Sequence, residues 1–226
     1  MVPLKLKARD AWWTVFAIDP IAGTLVRAVY PFRAVTPNRL TFACGLVAAA
    51  AVVAFAADSL IAAALLFQAS FVIDCMDGKL AFTRDQTSRY GGYLDVVADT
   101  LRFSGCAAAL AYALAPSGAG TIALLALYPS LHYGVILTGK AWPDRAPVTS
   151  ISVPATPLAL LRAAPGRAGK PGSTVDAEAC AFTIGPLIGH PVAGVAVAVA
   201  FNAFHLLAGV GLRTLRAARA VEEPVA

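Results

Sequence analysis

The stretch Asp74-Cys75-Met76-Asp77-Gly78-Lys79-Leu80-Ala81 is followed, nine residues later, by Gly91-Gly92-Tyr93-Leu94-Asp95-Val96-Val97-Ala98-Asp99, and its reading decides the fold. Four aspartates fall here in two pairs. Each pair adjoins an apolar run long enough to enter a membrane. The whole chain of 226 residues has only 13 Asp and Glu, so four acids at this place need a physical reason.

Composition sets the class. The chain is 58% hydrophobic and 14% charged, with a mean hydropathy of +0.70. Soluble domains carry about 25% charged residues. The expected fold is therefore all-α and integral to a membrane. The net charge of +5 suits anionic lipid headgroups. Nucleic acid is not an expected partner, because the basic residues sit in short loops between apolar spans instead of on one patch. Cys44, Cys75, Cys106 and Cys180 each lie in or beside an apolar segment without CxxC spacing, which reads as four structural thiols.

Outward from the aspartates, the pattern predicts six transmembrane helices preceded by an N-terminal amphipathic surface helix, in one membrane domain over residues 1–226. Residues 1–35 form its interfacial segment. Lys5, Lys7 and Arg9 precede Trp12-Trp13, and paired tryptophans suit the headgroup boundary better than a signal peptide. Thr36-Pro37-Asn38 reads as a helix start, with Thr36 as N-cap and Pro37 at the first helical position. The six-helix bundle is expected over 36–212. Its spans lie near 40–57, 60–73 with helix continuing to 81, 93–115, 121–137 with a kink at Pro129, 177–188 and 192–212. A capping box at Ser173–Asp176 opens the fifth. The loop 139–172 is rich in proline, glycine and basic residues and is read as irregular. Residues 213–226 form a tail.

Charge placement supports the layout. With six spans, every Lys and Arg except Arg102 falls on one side, the side of both termini and of the aspartates. The positive-inside rule makes that side cytoplasmic, in a cell (inner) membrane.

Asp74 and Asp77 are three apart and Asp95 and Asp99 four apart, so each pair shares a helical face. If the second and third spans pack side by side, all four carboxylates converge. Unpaired, they would repel strongly; divalent metal removes the repulsion, and an all-oxygen set favours Mg²⁺ or Mn²⁺, as two ions. Gly78 and Gly91 clear space for a nucleotide beside the acids, and Ala81 keeps that face shallow. Ion pairing with Lys79, Arg84, Arg89 or Arg102 is the competing account, but it does not require those glycines.

The pattern DxxDGxxA–x9–GxxxDxxxD resembles the signature of the CDP-alcohol phosphotransferase family of integral membrane enzymes, matched at Asp74, Asp77, Gly78, Ala81, Gly91, Asp95 and Asp99. The resemblance implies attack of a small alcohol acceptor on a CDP-linked donor, expected to be CDP-diacylglycerol, with release of CMP. It implies that Asp74, Asp77, Asp95 and Asp99 hold the metal, with Asp99 also the candidate catalytic base. Asn38, Asp77, Gly78, Ala81, Arg84 and Gly91 are the expected nucleotide-binding residues. Arg102, Lys140 and Arg145 are candidates for binding the acceptor; a salt bridge to Asp99 or Asp95 accounts equally for Arg102, and the topology rule already requires the basic charge of the loop. A homodimer follows from the resemblance alone. One position departs: the family has arginine after the alanine and this chain has Phe82, so Arg84 or Lys79 is expected to supply the missing charge. A divalent-cation transporter and an inactive membrane scaffold of the same fold are the alternative functions. His132, His205 and Asn202 are expected to be structural, with Asn202 placed to bond His205.

Overall fold

The structure, a computed structural model, describes residues 3–141, 149–169 and 171–222. The chain begins with strand β1 (Pro3–Lys7), then a π-helical turn (Thr14–Ile18) and α1 (Asp19–Val29). Four long helices follow: α2 (Pro37–Ala56), α3 (Leu60–Thr83), α4 (Arg89–Leu114) and α5 (Ala119–Ala141). After strand β2 (Ser150–Pro154) and α6 (Pro157–Arg167), the chain forms α7 (Thr174–Ala179), a π-helical turn (Cys180–Ile184), the one-turn α8 (Gly185–Leu187) and the long α9 (Pro191–Glu222).

Local chemistry accounts for the boundaries. The Thr36 side chain accepts from the Arg39 amide, and Pro37 occupies the first turn of α2 without wasting a donor. Asp58 turns the chain from α2 into α3 with a φ of 54°. Ser88 caps α4 by accepting from the Gly91 amide at 2.9 Å. Ser173 and Asp176 form the expected capping box, and Asp176 also accepts from the Trp13 amide at 2.7 Å, which joins α7 to the N-terminal segment.

Among the described residues, four helices are long and apolar enough to cross a membrane: Pro37–Ala56, Leu60–Thr83, Ala119–Ala141 and Pro191–Ala217. The other two expected spans are helical but differ in kind. The α4 helix is 26 residues long yet carries Asp95, Asp99 and Arg102, while residues 174–187 form a short rod interrupted by the π-helical turn. That rod crosses α9 closely; a Cβ added at Gly185 would lie 2.9 Å from the Gly194 Cα.

The bundle core joins Phe55, Phe67, Phe103, Leu110, Tyr128 and Phe182 from α2, α3, α4, α5 and the Cys180–Ile184 turn. A second core lies at the aspartate end of α3, where Leu4, Leu6, Ile18, Val26, Val153 and Leu160 pack on Phe71, Val72, Met76 and Leu80. This cap departs from the sequence expectation. Residues 3–7 are a strand, paired antiparallel with 150–154, and the loop expected to be irregular contains β2 and α6. The cause is an alternation, Leu4 and Leu6 inward and Lys5 and Lys7 outward, that suits a half-buried strand and not a helix. The apolar side chains of the expected surface segment do remain exposed, Trp12, Phe16, Ile21 and Leu25 among them.

The cap is fastened by a buried carboxylate. Asp19 is fully buried at the start of α1 and pairs with Lys79 of α3 at 2.8 Å and Arg167 of α6 at 2.5 Å. Arg167 also donates through Nε to the Lys7 carbonyl at 3.0 Å. Removing one partner of a buried ion pair costs about 3–5 kcal/mol. Arg167→Ala is therefore expected to lower the apparent melting temperature of the detergent-solubilised protein strongly. Arg162→Ala, an exposed change on the same helix, should leave stability within about 0.5 kcal/mol.

Candidate active site

The aspartates come together, though not by the packing the sequence suggested. Close helix pairs form between α2 and α3 and between α2 and α4; among the described residues α3 and α4 do not form one. The α2 helix thus lies against both aspartate helices. The gap between them is filled by side chains, among them Asp74, Asp95, Asp99 and Arg102.

One carboxylate oxygen from each of Asp74, Asp95 and Asp99 lies within 4.8 Å of the others, a group able to hold a metal ion. Asp77 stands outside this trio. It is buried, and its Oδ2 accepts a short hydrogen bond of 2.5 Å from the Thr41 hydroxyl on α2. All four aspartates nevertheless line one cavity of about 350 Å³. The opposite wall of that cavity carries Lys5, Lys7 and Ser150 from the two strands and Arg167 from α6.

A second cavity of about 170 Å³ adjoins the first across Asp77, Gly78, Phe82 and Asp95. It gathers Asn38, Ala81 and Gly91 as well, so five of the six expected nucleotide residues share one hollow. A Cβ added at Gly78 would meet nothing within 4 Å, so no protein neighbour demands glycine there and the space opens into the hollow. Gly91 differs, since a Cβ there would press on Ser88 Oγ at 3.1 Å and Asn38 Oδ1 at 3.4 Å.

Arg84 is the sixth, and the fold uses it elsewhere. Its guanidinium donates to the carbonyls of Val35 at 2.6 Å and Tyr30 at 2.7 Å, with longer bonds to Phe32 and Val29. It clamps the α1–α2 connection and does not reach into the smaller cavity. Lys79 is likewise engaged, with Asp19. Phe82, 42% exposed, lines both cavities where the resemblance places an arginine.

Of the expected acceptor residues, Arg102 is 3% exposed and lies behind the aspartates. Its Nη2 donates to Asp99 Oδ1 at 2.6 Å, and its Nη1 is 3.5 Å from Asp74 Oδ2. Its guanidinium also lies over the rings of Phe67 and Phe71, at 5.7 and 5.1 Å. Lys140 is exposed at the end of α5 and lines neither cavity. Arg145 lies outside the described residues.

Two participants were not read from the sequence. Thr41 stands one turn after Pro37, and its hydroxyl on an otherwise apolar helix was the available signal. Glu178 of α7 was passed over although it is an acid at the mouth of an expected span; its Oε2 is 4.0 Å from Arg102 Nη2 and its Oε1 is 3.6 Å from His132 Nε2. His132 therefore faces a carboxylate supplied from across the bundle. His205 Nε2 lies 3.1 Å from the Pro171 carbonyl, and the Asn202 side chain has no hydrogen-bond partner among the described residues, so the expected Asn202–His205 bond does not form.

Residues 34–161 match the family model for CDP-alcohol phosphatidyltransferase. The chain belongs to this family. A bifunctional IPC transferase and DIPP synthase of Thermococcus kodakarensis is 37% identical over 82 residues, which is 35% of this chain and 18% of that protein. The match thus spans less than a fifth of the relative's length. In this CDP-alcohol phosphatidyltransferase, the four aspartates and the whole lining of the smaller cavity fall inside the matched region, whereas the cap wall of the larger cavity, with Lys5, Lys7 and Arg167, and Glu178 fall outside it.

The Arg84 geometry carries a test. Losing charge-assisted bonds to backbone carbonyls costs about 1.5–3 kcal/mol. Arg84→Ala is expected to lower the melting temperature while leaving affinity for a CDP-linked donor within about twofold, measured by calorimetry in detergent; the twofold margin corresponds to roughly 0.4 kcal/mol.

Proposed function

We propose that this chain transfers a phosphatidyl or other phospho-alcohol group from a CDP-linked donor, CDP-diacylglycerol first among them, to a small alcohol acceptor with release of CMP. The observation that carries the reading is the trio Asp74, Asp95 and Asp99 converging within 4.8 Å on a cavity that continues into a glycine-floored hollow. In this reading the six helical rods all cross the membrane, with the aspartate end and both termini cytoplasmic in a cell (inner) membrane, and the enzyme is a homodimer.

The residues fit a divalent metal. Three carboxylates and one adjacent guanidinium leave two uncompensated negative charges, and Asp74 Oδ1 is buried without a hydrogen-bond partner. Asp74, Asp95 and Asp99 would hold the ion, with Asp77 contributing from the same cavity wall to a second. Hard oxygen donors suit Mg²⁺ or Mn²⁺. Bound there, such an ion supplies charge stabilisation at the transferring phosphate and lowers the pKa of the acceptor hydroxyl.

The chain's own groups have distinct tasks. The smaller cavity takes the cytidine end of the donor, where Gly78 lets a base or ribose approach the α3 backbone and Asn38 offers both donor and acceptor atoms. Thr41 holds Asp77 in one orientation. The acceptor enters the larger cavity, and its hydroxyl oxygen attacks the phosphorus bonded to the alcohol of the donor. The new O–P bond forms as the bond from that phosphorus to the CMP oxygen breaks, and Asp99 takes the hydroxyl proton. Lys7 on the facing wall gives an anionic group of either substrate a place to rest, a role that Phe82 leaves open, while Lys5 beside it pairs with Asp85 at 2.6 Å.

CMP release from purified protein, given CDP-diacylglycerol and a panel of acceptors with product lipids identified by mass, tests the reading. Release should require Mg²⁺ or Mn²⁺ and stop with chelator. Asp99→Asn is expected to lower turnover by at least about 10²-fold, the lower range for general base catalysis, while donor binding stays measurable. Gly78→Val should leave the melting temperature near that of the parent, because the side chain enters open space, yet weaken donor binding by about tenfold or more, roughly 1.4 kcal/mol. Metal binding without CMP release for any acceptor would point instead to an inactive scaffold.

A further inference from the structure

Behind the aspartates lies a buried network that the reaction does not use directly. Arg102 reaches from α4 to Asp99 at 2.6 Å, to Asp74 of α3 at 3.5 Å and to Glu178 of α7 at 4.0 Å. The far oxygen of Glu178 lies 3.6 Å from His132 Nε2 on α5, and His132 stacks on Phe103 at 3.8 Å. Three helices thus meet at one guanidinium, and Glu178 extends the network to a fourth. Glu178 lines neither cavity, so it touches no substrate. Arg102 Nε and Asp74 Oδ1 are buried with no hydrogen-bond partner, which leaves the guanidinium short of acceptors and the aspartate short of donors.

One cation is shared by three carboxylates, two of which also belong to the metal-holding trio. Every share of Arg102 charge that falls on Asp74 and Asp99 is charge a divalent ion must displace or tolerate. Glu178 competes for the same Nη2 that donates to Asp99, from a position that lines neither cavity. We infer that Glu178 is a positioning residue that acts through Arg102 to set how tightly Asp74 and Asp99 hold a divalent cation. The inference rests on the proposed metal role of those aspartates. A purely structural carboxylate would alter folding stability and leave cation affinity alone.

The sign can be worked out for each change. Glu178→Gln removes the competing charge, so Arg102 is left to the two aspartates and cation affinity falls. Arg102→Met removes the competitor altogether, so affinity holds or rises even as Asp99 loses its anchor. In the double variant Glu178 has no guanidinium to act on, and its effect vanishes. Residues that orient metal ligands typically change affinity by about 10–100-fold, and one step removed we expect roughly tenfold.

Mn²⁺ binding to the full-length protein in detergent, followed by the electron paramagnetic resonance of free Mn²⁺, reads this without reference to turnover. Glu178→Gln should raise the Mn²⁺ dissociation constant by roughly tenfold, and Glu178→Gln with Arg102→Met should match Arg102→Met alone. Unchanged affinity in Glu178→Gln overturns the inference and leaves the metal site standing. So does a weakening that persists in full in the double variant, since Glu178 would then act by its own field. Should Glu178→Gln fail to fold, Glu178→Asp keeps the charge but withdraws it from Arg102, and an affinity equal to that of the parent overturns the inference. A parent protein that binds no Mn²⁺ overturns the metal reading and this one together.

Discussion

Carboxylates gathered at the end of apolar helices repel one another in a medium that screens them poorly, and the interior of this protein is arranged around relieving that repulsion. The four-residue spacing puts Asp95 and Asp99 on one face of α4, and Asp74 of α3 meets them there, with one oxygen of each within 4.8 Å of the others. No helix packing favours that approach for its own sake. The cost is offset locally by Arg102 and, at Asp77, by the Thr41 hydroxyl. Both come from neighbouring structure that must be rigid to hold them. The placement of α2 against both aspartate helices supplies the rigidity, and it explains why a side-chain-sized gap separates α3 from α4.

A second buried acid does comparable work one layer out. Asp19 holds Lys79 and Arg167, residues 60 and 148 positions away from it in the chain. Two cations around one fully buried carboxylate leave a surplus of positive charge on the side facing the cavity, and the strand lysines add to it. The larger cavity thus takes its four clustered aspartates from the helices and most of its basic groups from the cap, with Lys79 and Asp10 the exceptions on either side. Such polarity orients any substrate that carries both a hydroxyl and an anionic group, and it exists only because a two-stranded cap closes over the bundle end.

How much of this was legible in the sequence follows from contact range. The long apolar helices announce themselves through hydropathy, and the aspartate pairs through helical periodicity, because both signals lie within a few residues. Five of the six nucleotide candidates share one hollow for the same reason: they fall on two short motifs and one helix start. The cap was missed because strand β1 pairs with residues almost 150 positions later, and a five-residue alternation is a weak signal beside a long basic stretch. Glu178 escaped because its partners lie on two other helices, and a lone acid beside a capping box reads as part of the cap.

Arg84 shows where reasoning from proximity in sequence fails. Two residues along a helix is a rotation of about 200°, so a basic side chain at 84 cannot take over a direction that belongs to 82. Arg84 also ends the helix, where carbonyls of the α1–α2 connection are within its reach, and four of them take up its guanidinium. Lys79, three residues before Phe82, lies on a neighbouring face but is committed to Asp19. With both nearby cations accounted for, and Lys5 paired with Asp85, positive charge around the Phe82 face comes from a different segment of the chain, through Lys7 of β1. The N-terminal strand belongs to the site as much as the helices do, although the family match begins only after it.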